Sequence, residues 1–161
     1  MNNIHVKFYM ALLVALILTI MPLPSVLVAC RPPWVLLLIL YIQFYYPDLF
    51  KLSLVFLLGL VLDSLLATVI GEHAFSLCFV AWLANSKARR FSFFPMSQQM
   101  IFISLFAGVY QLTIVLLDSL LGNQGQMVTV LGGSVVSVLL WPWVRLFGEE
   151  WLLATFQRRV K

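Results

Sequence analysis

The chain has 161 residues, 63% of them hydrophobic and 10% charged, with a formal net charge of +4. A soluble domain of this length carries about a quarter charged residues, and it cannot hide so much apolar surface in one core. The solvent must be lipid, and the chain reads as a single all-α integral membrane domain, 1–161, with no room for a second folded unit. The basic residues sit in short clusters between apolar runs, where membrane topology puts them, and show no nucleic-acid pattern.

The first apolar run covers about 8–28. It follows Lys7 but is long and lacks a small-x-small cleavage site, so it is expected to stay as a helix. Pro22 and Pro24 end or kink it, and Cys30-Arg31-Pro32-Pro33 forms a turn. The second run, 32–46, has only about 13 apolar residues from Trp34 onward. A spanning helix needs about 17–25. The run must therefore recruit the Pro-Pro turn as its first helical residues or cross a thin region of bilayer.

The third run is 49–70, Gly71-Glu72-His73 is a turn, and the fourth run is 73–86. A basic loop follows with Lys87, Arg89 and Arg90. The fifth run, 98–121, ends at the polar turn Gly122 to Gln126, and the sixth, 127–145, closes on Trp141-Pro142-Trp143. The tail, 147–161, has Glu149 and Glu150 first and Arg158, Arg159 and Lys161 last. That order suits a helix dipole, so the tail is an interfacial helix or a continuation of the last one. Cys30 and Cys78 lie in or beside apolar segments, with no metal-type spacing.

Six crossings put both termini on one side. With the N-terminus in the cytoplasm, nine of the ten Lys and Arg residues are inside and only Arg31 is outside. The positive-inside rule then assigns both ends to the cytoplasm.

The polar residues inside the runs are the candidate functional ones. A carboxylate within a bilayer costs roughly 2.5–3.5 kcal/mol on insertion scales, so Asp63 requires compensation. Gly59, Asp63, Ala67 and Ile70 share a face of the third run, and small residues beside an acid indicate close helix packing. Ser104, Gly108, Gln111, Asp118 and Gly122 make a matching stripe on the fifth run, and Gly133 and Ser137 offer a packing pair on the sixth. The third, fifth and sixth runs are accordingly expected to form an inner bundle. The first, second and fourth, apolar all round, are expected to face lipid or a partner helix. Asp63, Glu72, Asp118 and Arg31 all fall toward the outer side, and Arg31, the only outward cation, is the expected counter-charge of Asp63 or Asp118. His73 reads as an interfacial histidine rather than a ligand. No cofactor or metal site is expected.

Catalysis finds little support. Aspartyl membrane proteases use Gly-x-Gly-Asp, whereas Asp63 follows Gly59-Leu-Val-Leu. His-Glu-x-x-His, Gly-x-Ser-x-Gly and phosphate-loop patterns do not occur.

Several residues together carry a resemblance. They are Met21-Pro22-x-Pro24, Arg31-Pro32-x-Trp34-Val-Leu-Leu, Gly59-x-x-x-Asp63 with Gly71 eight residues on, and Leu140-Trp141-Pro142-Trp143. In this order, from about Met21 to Arg145, the chain resembles the MreD family of bacterial rod-shape (elongasome) membrane proteins. The resemblance implies a non-enzymatic part of the machinery that lays down peptidoglycan along the side wall of the cell, in the inner membrane. It implies MreC as partner, with MreB, RodA and a class B penicillin-binding protein in one complex. It also implies a six-helix fold similar to the S components of energy-coupling-factor transporters. The basic loop and tail would meet anionic lipid or an acidic partner. Two function classes stay open: an assembly scaffold, or a small-molecule or lipid-binding protein of transporter type. A scaffold should satisfy Asp63 internally, and a binder should show an outward-open polar cavity.

Overall fold

Prolines and residues at positive φ (Ala67, Gly71 and Gly122) punctuate the described chain into helices. The computed structural model describes residues 2–21, 31–47, 51–86, 88–91, 93–122 and 127–156. The helices are α1 (Asn2–Ile20), α2 (Trp34–Tyr45), α3 (Leu52–Leu66), α4 (Glu72–Asn85), the short α5 (Ala88–Phe91), α6 (Met96–Leu120) and α7 (Met127–Phe156). Pro33 and Pro95 sit immediately before α2 and α6. A proline loses nothing there, because the first amides of a helix have no internal partner, and its carbonyl still accepts. The Leu37 amide donates to Pro33 at 3.0 Å, and the Gln98 amide to Pro95 at 3.0 Å. The Pro-Pro turn is thus a helix boundary and not the start of the second helix.

The expected inner bundle is corrected by burial. Nine of the 12 residues of α2 are buried, from Val35 to Phe44. In α4, Glu72, His73, Ala74, Ser76, Leu77, Val80, Ala81 and Ala84 are buried. The second helix is therefore inside, and the fourth buries one face while Phe75, Phe79 and Trp82 point outward. An α2 of about 18 Å is too short for the ~30 Å hydrocarbon core, but it is enclosed by protein and need not match lipid on its own. α3 packs along α4, and α6 along α7, as the two most extensive helix pairs.

Several boundaries also move. α1 begins before residue 8, and the expected residues 22–28 lie outside the described ones. α3 stops at Leu66 rather than 70, because Ala67 turns left-handed at φ 52°. α7 runs unbroken through Pro142 to Phe156, so the early part of the tail continues the last helix. The loop after α4 contains α5, which hydropathy does not reveal. Lys87, Arg158 and Arg159 fall outside the described residues, as does Cys30, and only the backbone of Arg89 is described. Arg90 is exposed.

The outward surface is apolar as well. Phe79, Leu105, Leu131 and Trp143 are all exposed. Among the described residues, Met96–Leu120 and Leu131–Gly148 are long and apolar enough to cross a membrane by themselves, while Val6–Ile20, Trp34–Tyr45 and Leu52–Leu66 are apolar but shorter.

Candidate functional site

Asp63 lies in the last turn of α3 and is 1% exposed. The chain reverses just beyond it. The Ala67 amide bonds to the Asp63 carbonyl, and the Thr68 amide reaches the same oxygen at 3.1 Å, closing the helix around left-handed Ala67. Four residues beyond Ala67, Gly71 takes φ 102°, a conformation that suits glycine, and α4 begins.

This reversal returns the start of α4 to the Asp63 carboxylate. The Gly71 amide donates to Oδ2 at 2.7 Å, and the His73 amide donates to Oδ1 at 2.8 Å. These are amides that helix geometry leaves unpaired, at the positive end of the α4 dipole. Asp63 therefore caps α4 from the preceding helix. Gly71, at the capping position itself, has no side chain with which to do so. The His73 ring completes the centre, with Nδ1 at 2.9 Å from Oδ1. A carboxylate only accepts, so the imidazole donates from Nδ1. Thr68 Oγ1 donates to Oδ1 at 3.4 Å and lies 3.3 Å from the same ring nitrogen. Tyr110 of α6, buried, stands edge-on to the imidazole at 6.3 Å.

The counter-charge expected for Asp63 is thus corrected. Arg31 donates from Nη2 to the backbone carbonyl of Thr19 and so ties down the end of α1. Asp63 is met instead by the ring N–H of His73 and by helix amides. Glu72 is buried within electrostatic reach of Asp63 and Asp118, and His73 lies within reach of Asp63, Asp118 and Arg31. The structure brings these five ionisable groups to one end of the bundle.

The packing residues divide. At Gly59 α3 and α4 approach closely, since a Cβ there would meet the Ala74 backbone. Ala67 is no packing residue; it is exposed beyond the helix end. Gln111 lies against Gly133, where a Cβ would stand 1.7 Å from the amide nitrogen, and Gly108 faces Ser134. Ser137, fully buried, donates to the Gly133 carbonyl at 2.7 Å. Gly108, Gln111, Gly133 and Ser137 thus belong to the seam of α6 and α7.

A second polar centre went unread in the sequence. Gln99, fully buried near the start of α6, donates to the carbonyls of Phe91 at 3.4 Å and Phe94 at 3.0 Å. Its Oε1 accepts from Tyr45 at 3.2 Å, Trp141 at 3.3 Å and Arg145 at 3.5 Å. Arg145 also stands over the Tyr45 ring at 5.9 Å. Gln43 of α2 donates to the Ala81 carbonyl at 2.7 Å. A glutamine within an apolar run was the available signal for both.

The Asp63 centre has the parts of a structural clamp. A Ser-His-Asp type triad needs nucleophile and carboxylate on opposite ring nitrogens. Here Thr68 and Asp63 converge on the same one.

The family model "rod shape-determining protein MreD" matches residues 1–150. The rod shape-determining protein MreD of Haemophilus influenzae is 28% identical over 148 residues, covering 92% of this chain and 88% of that protein. No solved structure matches. With the family model spanning nearly its whole length, the chain belongs to the MreD family of rod shape-determining proteins, and it is an apolar helical membrane protein with a role in cell shape.

Proposed function

We propose that this protein is a non-enzymatic scaffold of the elongasome that supports lateral peptidoglycan synthesis by binding MreC within a complex that includes MreB, RodA and a class B penicillin-binding protein. The observation that carries the reading is the family match over residues 1–150. Asp63 supports it, because its oxygens are used inside the protein by Gly71 and His73. A groove among the described residues is apolar and is lined by α1, α2 and α7, not by Asp63.

In this reading the chain crosses the inner membrane six times with both termini in the cytoplasm. Six hydrophobic segments and nine inward cations against one outward favour that arrangement. A likeness to transporter S components remains part of the proposal and rests on helix number alone. Partners meet the protein through helix faces and short loops, because little of the chain lies outside the hydrophobic segments.

The test is a mild-detergent pull-down of tagged protein from native envelopes, with mass spectrometry of proteins and lipids. Wild type should recover MreC and the peptidoglycan synthases. Asp63→Ala, matched for expression, should recover less of them because its α3–α4 end is loosened. Recovery of no elongasome protein by wild type overturns the scaffold.

A further inference from the structure

A groove of about 920 Å³ lies between α1, α2 and α7. Val14 and Ala15 form one wall, Trp34 and Tyr41 the floor, and α7 from Leu140 to Glu150 the other wall. Its volume is that of a site for an organic molecule, which is ~300–1,000 Å³. Glu150 is the one charged side chain among the described residues that line it, and it stands at one end. Helix geometry sets the length. From Leu140 to Glu150 the α7 axis advances about 15 Å. The hydrocarbon core is ~30 Å thick, so the groove covers one leaflet. A transmembrane helix would leave half of itself outside such a groove, whereas the acyl chains of a single lipid match it.

We propose that this groove holds one diacyl membrane lipid whose headgroup carries an ammonium group, with its chains between α1 and α7 and its headgroup at Glu150. A carboxylate at the mouth attracts the ammonium and repels an anionic headgroup. Three helices around one chain offer more contact than the exposed outer face of α6 at Leu105. The site stands apart from the scaffold reading and does not depend on it.

The experiment is native mass spectrometry of the full chain after reconstitution into vesicles of equimolar phosphatidylethanolamine and phosphatidylglycerol with matched chains. One lipid should stay bound, with phosphatidylethanolamine favoured about fivefold, the scale of one charge contact at a membrane surface. Val14 is exposed at 47%, so Val14→Trp places an indole in the groove without disturbing the core and should lose the retained lipid. Leu105→Trp, on the outer face, should keep it. Glu150→Gln should keep a lipid while the headgroup ratio falls to near one. The proposal fails if wild type retains no lipid, if the two tryptophan variants behave alike, or if Glu150→Gln leaves the ratio unchanged. It fails equally if a photo-cross-linker at Val14 in cell membranes captures a transmembrane peptide in place of lipid.

Discussion

Asp63 accepts from two main-chain amides, the His73 ring and the Thr68 hydroxyl, and these do not weigh equally. Removing the ring leaves the amides capped; removing the carboxylate strands buried amides as well. An unsatisfied buried donor costs roughly 1–3 kcal/mol. Asp63→Ala should therefore lose about 3 kcal/mol and His73→Ala about 1 kcal/mol in reversible unfolding from mixed micelles. The opposite order would remove the capping role. Ala67, left-handed at φ 52°, bears a penalty that glycine does not, so Ala67→Gly should be neutral or should stabilise by up to about 1 kcal/mol. A marked loss would show that the Ala67 methyl packs after all. At this scale the acid itself was legible in the sequence, because hydropathy makes an intramembrane carboxylate conspicuous. Its partner was not. A search among cations finds Arg31 and passes over backbone amides, which every residue has and no composition reveals.

The α3–α4 hairpin shows what small residues do for an element. A Cβ on Gly59 would meet backbone, the Cα and amide nitrogen of Ala74, so no change of rotamer can relieve it. Gly59→Ala should separate the two helices and cost ~1–3 kcal/mol, the usual range for overpacking. Ala74→Gly should not rescue it, since the opposing atoms are main chain; rescue would place the close approach elsewhere. Gly59 was readable from its spacing to Asp63, as were Gly108, Gly133 and Ser137 on the α6–α7 seam. The interior position of α2 was not. Around Val35 to Phe44 almost every side chain is apolar, and lipid and protein interior ask for the same chemistry. Gln43 was the only polar mark on that helix, and it serves the Ala81 carbonyl.

For the whole molecule, the number of crossings is read by labelling. Ser86 follows α4 and Leu121 follows α6, both exposed. In a variant with Cys30 and Cys78 replaced by serine, Leu121→Cys should react with a membrane-impermeant maleimide in cells with a permeabilised outer membrane. Ser86→Cys should react only after the inner membrane is opened. Labelling of both from outside would overturn the six-crossing arrangement. The expected topology rests on charge distribution, on where cations sit and not on how helices pack.

The clamp at Asp63 also bears on the order in which the protein is built. In the six-crossing arrangement, α3 leaves the translocation machinery before the amides of Gly71 and His73 exist as a helix start, and until then its carboxylate carries the full cost of entering lipid. α3 and α4 are accordingly a single unit of insertion, in which the earlier helix settles only when the later one arrives. A nascent chain ending just after Gly71 should wash from membranes at alkaline pH more readily than one ending after Asn85, and Asp63→Leu should abolish that difference.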